Sequence, residues 1–185
     1  ITMAAGLDSK KITPETTFED KGFVKIKGTT INNSDNKTYG RSSMTNVLEN
    51  SINTGAVFVQ QKIGQDGFRQ YVEAFGFNRP TGIDLPGELA GDISNLSTKR
   101  EINFATASFG QGIAITPLEL IIALASIANQ GKMMRPFVVE KIIKPNGEEI
   151  IIQPQEVRQV ISSQTAAKLT RILTSVVENG HSKPA

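Results

Sequence analysis

RSSMTNVLENSINTGAVFVQQKIG, residues 41–64, decides how this chain is read. Met44, Val47 and Leu48 recur at helical spacing on one stripe, and Ala56, Val59 and Ile63 form a second. Between the stripes lies Ser51-Ile52-Asn53. A hydroxyl and an amide two residues apart therefore fall at a junction between helices, where both can point into one cleft. The S-x-N spacing alone is a weak signal, recurring by chance in roughly one of every two chains of this length. The plain alternative is that Ser51, Asn53 or Thr54 only caps the second helix.

The flanking segments narrow the reading. Residues 75–91 run FGFNRPTGIDLPGELAG, and residues 105–136 run ATASFGQGIAITPLELIIALASIANQGKMMRP. In this order the three stretches resemble the transpeptidase domain of class B penicillin-binding proteins, the enzymes that cross-link peptidoglycan. Ser51 and Asn53 match the family's S-x-N motif. TGIDLPGE (residues 81–88) and FGQGIAITP (residues 109–117) match two further segments. The resemblance covers nearly the whole chain. It implies a penicilloyl-serine transferase fold, seen here as a mainly α subdomain with small β-hairpins. The family's main antiparallel sheet would come largely from strands outside residues 1–185.

That family works with three motifs: S-x-x-K, which carries the nucleophile, then S-x-N, then K-T-G on a strand edge. Only S-x-N stands here in context. ITMAAGLDSKK (residues 1–11) resembles the stretch just after S-x-x-K, and SVVENGHSKPA (residues 175–185) resembles the approach to K-T-G. Residues 1–185 thus read as one partial transpeptidase domain, truncated at both ends. By resemblance the reaction is acyl transfer from a D-alanyl-D-alanine stem peptide through an acyl-serine, the step that β-lactams trap. The chain alone, without nucleophile or lysine, should be inactive. The resemblance implies catalytic roles for Ser51 and Asn53, and substrate contacts for Thr54, Gln111 and Gly112. It implies no metal and no cofactor. The expected partners are peptidoglycan stem peptides, β-lactams and the cell-wall synthesis machinery. The expected location is the extracytoplasmic face of the bacterial membrane, through an anchor outside this chain. A β-lactam sensor with the same motifs, or a docking module with a degenerate site, are the alternatives.

Three other matches carry no chemistry. Ser34-Asp35-Asn36-Lys37 satisfies S-x-x-K literally, but Asn32 to Asn36 is a turn-forming run and a poor helix, so it reads as a polar loop. Lys27-Gly28-Thr29 is the wrong order for K-T-G and suits the turn of a hairpin whose first strand is Phe23–Ile26. His181, the only histidine, lies in a polar tail without an oriented partner. Asp84 and Glu88 read as loop charges, with neither metal spacing nor a partner base. Net charge is +2 with dispersed basic residues, which gives no nucleic-acid footprint. Cysteine is absent, so disulfide and thiol chemistry are excluded.

The remaining pattern is mainly helical. Phe68, Tyr71, Val72 and Phe75 mark an amphipathic helix over residues 65–76, and residues 78–97 form an irregular loop rich in Pro and Gly. Thr116, Pro117 and Glu119 make a strong helix start with a capping box. The helix over residues 116–130 is apolar on nearly every side, which predicts a central, buried element stopped by Gly131. Residues 137–144 and 149–153 flank an Asn146-Gly147 turn as a hairpin. Ser163 to Asn179 forms a last helix, stopped by Gly180. Residues 1–7 and this last helix are expected to lose their partner sheet, leaving apolar faces that favour self-association.

Overall fold

The computed structural model describes residues 1–180; His181 lies outside the described residues. The helices are α1 (Thr2–Asp8), α2 (Met44–Glu49), α3 (Asn53–Ile63), α4 (Gln65–Ala74), α5 (Glu101–Ala107), α6 (Pro117–Ala128) and α7 (Ser163–Asn179). The strands are β1 (Thr17–Asp20), β2 (Phe23–Ile26), β3 (Thr29–Asn32), β4 (Gly40–Ser43), β5 (Lys132–Met134), β6 (Lys141–Ile143), β7 (Glu149–Ile151) and β8 (Glu156–Gln159). Among the described residues these strands form antiparallel pairs only: β1 with β4, β2 with β3, β5 with β8 and β6 with β7.

Helix α1 sits in the middle of the core, against α3, α4 and α7. The expectation that residues 1–7 lack partners is therefore corrected: Met3, Ala4, Ala5, Gly6 and Leu7 are all buried. Small side chains explain the fit. A Cβ at Gly6 would lie 2.7 Å from Val59 Cγ1 and 2.8 Å from Ile12 Cδ1, so only glycine allows this approach. Asp8, at the end of α1, then organises distant segments. Its carboxylate accepts from Ser162 N and Ser162 Oγ, both at 2.9 Å, and from Tyr71 Oη at 2.9 Å. These bonds set the start of α7 and tie it to α4. Burial works against the Asp8 charge, but the Ser162, Thr165 and Tyr71 hydroxyls and the Ser162 amide outweigh it and hold its pKa below the usual range.

Helix α6 starts as its sequence dictates. Thr116 Oγ1 accepts from Glu119 N, and Thr116 N donates to Glu119 Oε2 at 2.7 Å. Glu119 does more than cap. It is almost fully buried, and its other oxygen accepts from Gly91 N at 2.8 Å, pinning the long loop to the helix. Central burial of α6, by contrast, is corrected. Ala123, Ser126 and Ile127 face the core, while Leu120, Ile121 and Leu124 are 40%, 63% and 49% exposed. The helix packs on α7 and β5 on one side, while Leu120 and Leu124 border a cavity and Ile121 faces outward. It also ends at Ala128, two residues early, because Gln130 and Gly131 both take positive φ.

Helix α7 has the expected bounds and stop, with Leu169 and Ile172 buried and Val177 54% exposed. The hairpin over β6 and β7 turns at Gly147, whose φ is 83°. Its first strand is shorter than predicted. Val138 N and Val139 N donate to the Asp84 carboxylate at 2.8 and 2.9 Å, which diverts residues 137–140 from the sheet. Glu88 likewise accepts from the amides of Thr81 and Gly82. Both carboxylates shape the loop, so they are structural anchors and not idle charges. The β2–β3 hairpin forms as expected, and Ser34 lies exposed in a turn.

Candidate active site

Ser51-Ile52-Asn53 lies where α2 gives way to α3. Helix α2 closes with two backbone bonds, Ser51 N to Leu48 O and Ile52 N to Val47 O. That pattern is a Schellman closure, and it requires a left-handed residue at Ser51. Ser51 has φ of 52°, although glycine is the usual occupant. The residue that starts α3, Ile52, has no side-chain cap. Neither Ser51, Asn53 nor Thr54 caps this helix, so the simple capping explanation of the motif fails.

The turn delivers both polar residues to one place. Ser51 and Asn53 lie on the wall of a cavity of about 360 Å³. The rest of that wall is mostly apolar: Ile1 and the α1 residue Met3, Leu120 and Leu124 from α6, Leu169 and Leu173 from α7, and the stretch Ser108, Phe109 and Gly110. Ser51 is exposed and Asn53 half-buried, and the Asn53 amide donates to Asn32 O at 3.1 Å. Among the described residues no ionisable group is hydrogen-bonded to Ser51. It therefore has no partner that would activate it as a nucleophile.

Of the remaining sequence-predicted residues, Thr54 is turned the other way. It is 5% exposed and its hydroxyl donates to Asp20 Oδ1 at 2.6 Å. Successive helical residues are rotated by about 100°, so Thr54 leaves the cavity wall that Asn53 lines. Gln111 and Gly112 are exposed and follow directly on the wall residues Ser108 to Gly110, without lining the cavity themselves. Gly112 O accepts from Asn95 Nδ2.

Sequence reasoning missed the group beneath the motif. Asp20 is 1% exposed and its carboxylate accepts four bonds, from Thr54 Oγ1, Gly22 N, Asn33 Nδ2 and Tyr39 N. The available signal was Asp20-Lys21-Gly22, an Asx-turn pattern in which the carboxylate accepts from the amide two residues on. Among the described residues no group of three or more His, Cys, Asp or Glu is placed to hold a metal. No described helix is long and apolar enough to cross a membrane.

Comparison with known proteins identifies the family. The penicillin binding protein transpeptidase domain family matches residues 1–185. Stage V sporulation protein D of Bacillus subtilis is 30% identical, over 100% of this chain and 29% of its own length. A probable peptidoglycan D,D-transpeptidase FtsI of Caulobacter vibrioides is 29% identical, over 97% of this chain and 28% of its own. A crystal structure of penicillin binding protein 3 from Mycobacterium tuberculosis, complexed with aztreonam, superposes with a TM-score of 0.88 at 25% identity. It is matched over 98% of this chain and 40% of that one. The chain belongs to the penicillin-binding protein transpeptidase family, and its relatives are class B members. It spans less than a third of the length of these two curated relatives.

The left-handed serine gives a prediction. Ser51→Gly should stabilise the chain by about 0.5–1 kcal/mol, since glycine takes this φ without steric cost, offset partly by its looser unfolded state. Urea unfolding of both proteins measures it. A clear loss of stability in Ser51→Gly would show that the serine side chain is held by bonds its neighbours do not display.

Proposed function

We propose that residues 1–185 are the S-x-N-bearing part of a peptidoglycan D,D-transpeptidase domain. The observation that carries this reading is the Ser51 turn, which sets Ser51 and Asn53 together on the wall of the cavity. A serine in the left-handed position that glycine usually fills is local strain of the kind found at functional sites. The nucleophilic serine and its lysine come from residues outside the chain, as does most of the main antiparallel sheet. In the reaction, the nucleophile's oxygen bonds to the penultimate D-alanine carbonyl and the terminal D-alanine leaves with the proton. An amine from a second peptide then displaces the enzyme oxygen. Ser51 passes the proton from the lysine to the leaving nitrogen, and Asn53 holds the acyl chain in place. Gln111 and Gly112 border the substrate groove on the rim that begins at Ser108. The same geometry admits β-lactams. The whole protein acts with the cell-wall synthesis machinery on the extracytoplasmic face of the membrane. The isolated chain, lacking the nucleophile, is inactive and self-associates through the open faces of α6 and α7.

The test is the rate of acylation of the full-length protein by a fluorescent penicillin. Ser51→Ala and Asn53→Ala should each slow it by about 10²-fold or more, the usual scale for losing a proton-transfer or oriented polar group. Rates within threefold of wild type would remove both residues from the mechanism.

A further inference from the structure

We propose that Asp20 is a positioning residue of this active site, acting through Thr54 and Asn33. The proposal rests on the transpeptidase reading above. The first turn of α3 is bonded at three points to the segment from Asp20 to Asn33. Thr54 Oγ1 donates to Asp20 Oδ1 at 2.6 Å. Thr54 N donates to Asn33 Oδ1 at 3.2 Å, which supplies from a distance the cap that Ile52 lacks. Asn53 Nδ2 donates to Asn32 O at 3.1 Å.

Asp20 fixes that segment in turn. Its Oδ2 accepts from Asn33 Nδ2 at 2.9 Å and from Tyr39 N at 2.8 Å, and its Oδ1 also accepts from Gly22 N at 2.9 Å. Asn33 is thus held at its amide nitrogen by Asp20 while its amide oxygen holds α3. The carboxylate also lies at the amino end of an 11-residue helix, where negative charge is favoured. None of these atoms reaches the cavity. The network sets the height and rotation of the first turn of α3, and Asn53 is the first residue of that turn. Ser51, in its strained conformation, is two residues before it and is carried with it.

Thr54 gives the cleanest variants. Thr54→Val keeps the shape and removes the hydroxyl; Thr54→Ser restores it. Both are made in the full-length protein, and the active fraction is titrated with fluorescent penicillin. Acylation of that fraction is then resolved into noncovalent affinity and the first-order acylation step. Thr54→Val should slow the acylation step about tenfold or more, with affinity changed far less, and Thr54→Ser should stay within about threefold of wild type. A purely structural role would lower the melting temperature and the active fraction but leave the acylation step of the remainder untouched, and that result overturns the proposal. So does a Thr54→Ser rate as slow as Thr54→Val. Thr54→Ala, which favours helix, carries the same test if the valine variant folds poorly. Wild-type protein that is not acylated at all would refute the transpeptidase reading and this proposal with it; an acylated wild type with an unaffected Thr54→Val refutes this proposal alone.

Discussion

Asp20→Ala should remove about 4 kcal/mol of stability, a large share of the 5–15 kcal/mol that holds an ordinary domain together. Four donors lose their acceptor at once: Gly22 N, Thr54 Oγ1, Asn33 Nδ2 and Tyr39 N. An unsatisfied buried donor costs about 1–3 kcal/mol, and neighbours in one network do not add fully. Urea unfolding at neutral pH reads the loss directly, and a change below about 1 kcal/mol would mean that water replaces the carboxylate without penalty. The same substitution has a signature in pH. Burial opposes ionisation of Asp20, but the bonds from Thr54, Tyr39, Gly22 and Asn33 outweigh it and hold the carboxyl below its usual range. The folded pKa is therefore below the unfolded one, near 3.9. The Asp20 contribution is fully present above about pH 4 and is lost as pH falls through the folded value. Wild type and Asp20→Ala should converge in stability in that acid window and stay apart at pH 7.

The second large effect concerns the open apolar faces. Leu120, Ile121 and Leu124 of α6 and Val177 of α7 are 40% to 63% exposed. Covering about 300 Å² of such surface at about 25 cal/mol per Å² is worth about 7 kcal/mol, before the loss of free motion on association is subtracted. The isolated chain should therefore self-associate at micromolar to millimolar concentration. Sedimentation velocity should show a concentration-dependent increase in mass, and Ile121→Lys with Leu124→Lys should weaken it at least tenfold. A chain that stays monomeric throughout that range would show that these faces are tolerated in water.

Elements governed by local chemistry were legible in the sequence. The capping box at Thr116, the Asn146-Gly147 turn and the bounds of α7 follow from neighbouring residues alone, and all three form as read. What depends on distant partners was not legible. The pairing of β1 with β4 joins short polar strands about twenty residues apart, with no alternation strong enough to announce it. The periodicity of α6 shows that the helix is apolar all round, but not that Leu120 and Leu124 border a cavity and Ile121 faces outward. At the candidate site, Ser51 and Asn53 stand out in the sequence from the motif and its helical flanks, and the turn between α2 and α3 brings both to one cavity wall. Thr54 adjoins that pair in sequence, but its hydroxyl faces Asp20, which only the helix phase reveals. Asp20 carried only the trace of an Asx turn, since a buried carboxylate and a solvated one are the same letter.

The central claim is that this chain supplies part of an acyl-transfer site whose nucleophile lies elsewhere. Peptide mapping of the full-length protein after reaction with penicillin tests it most directly. The penicilloyl group should sit on a serine outside residues 1–185, and the isolated 185-residue chain should take up none. A stoichiometric adduct on Ser51, or on any other residue of this chain, would contradict it.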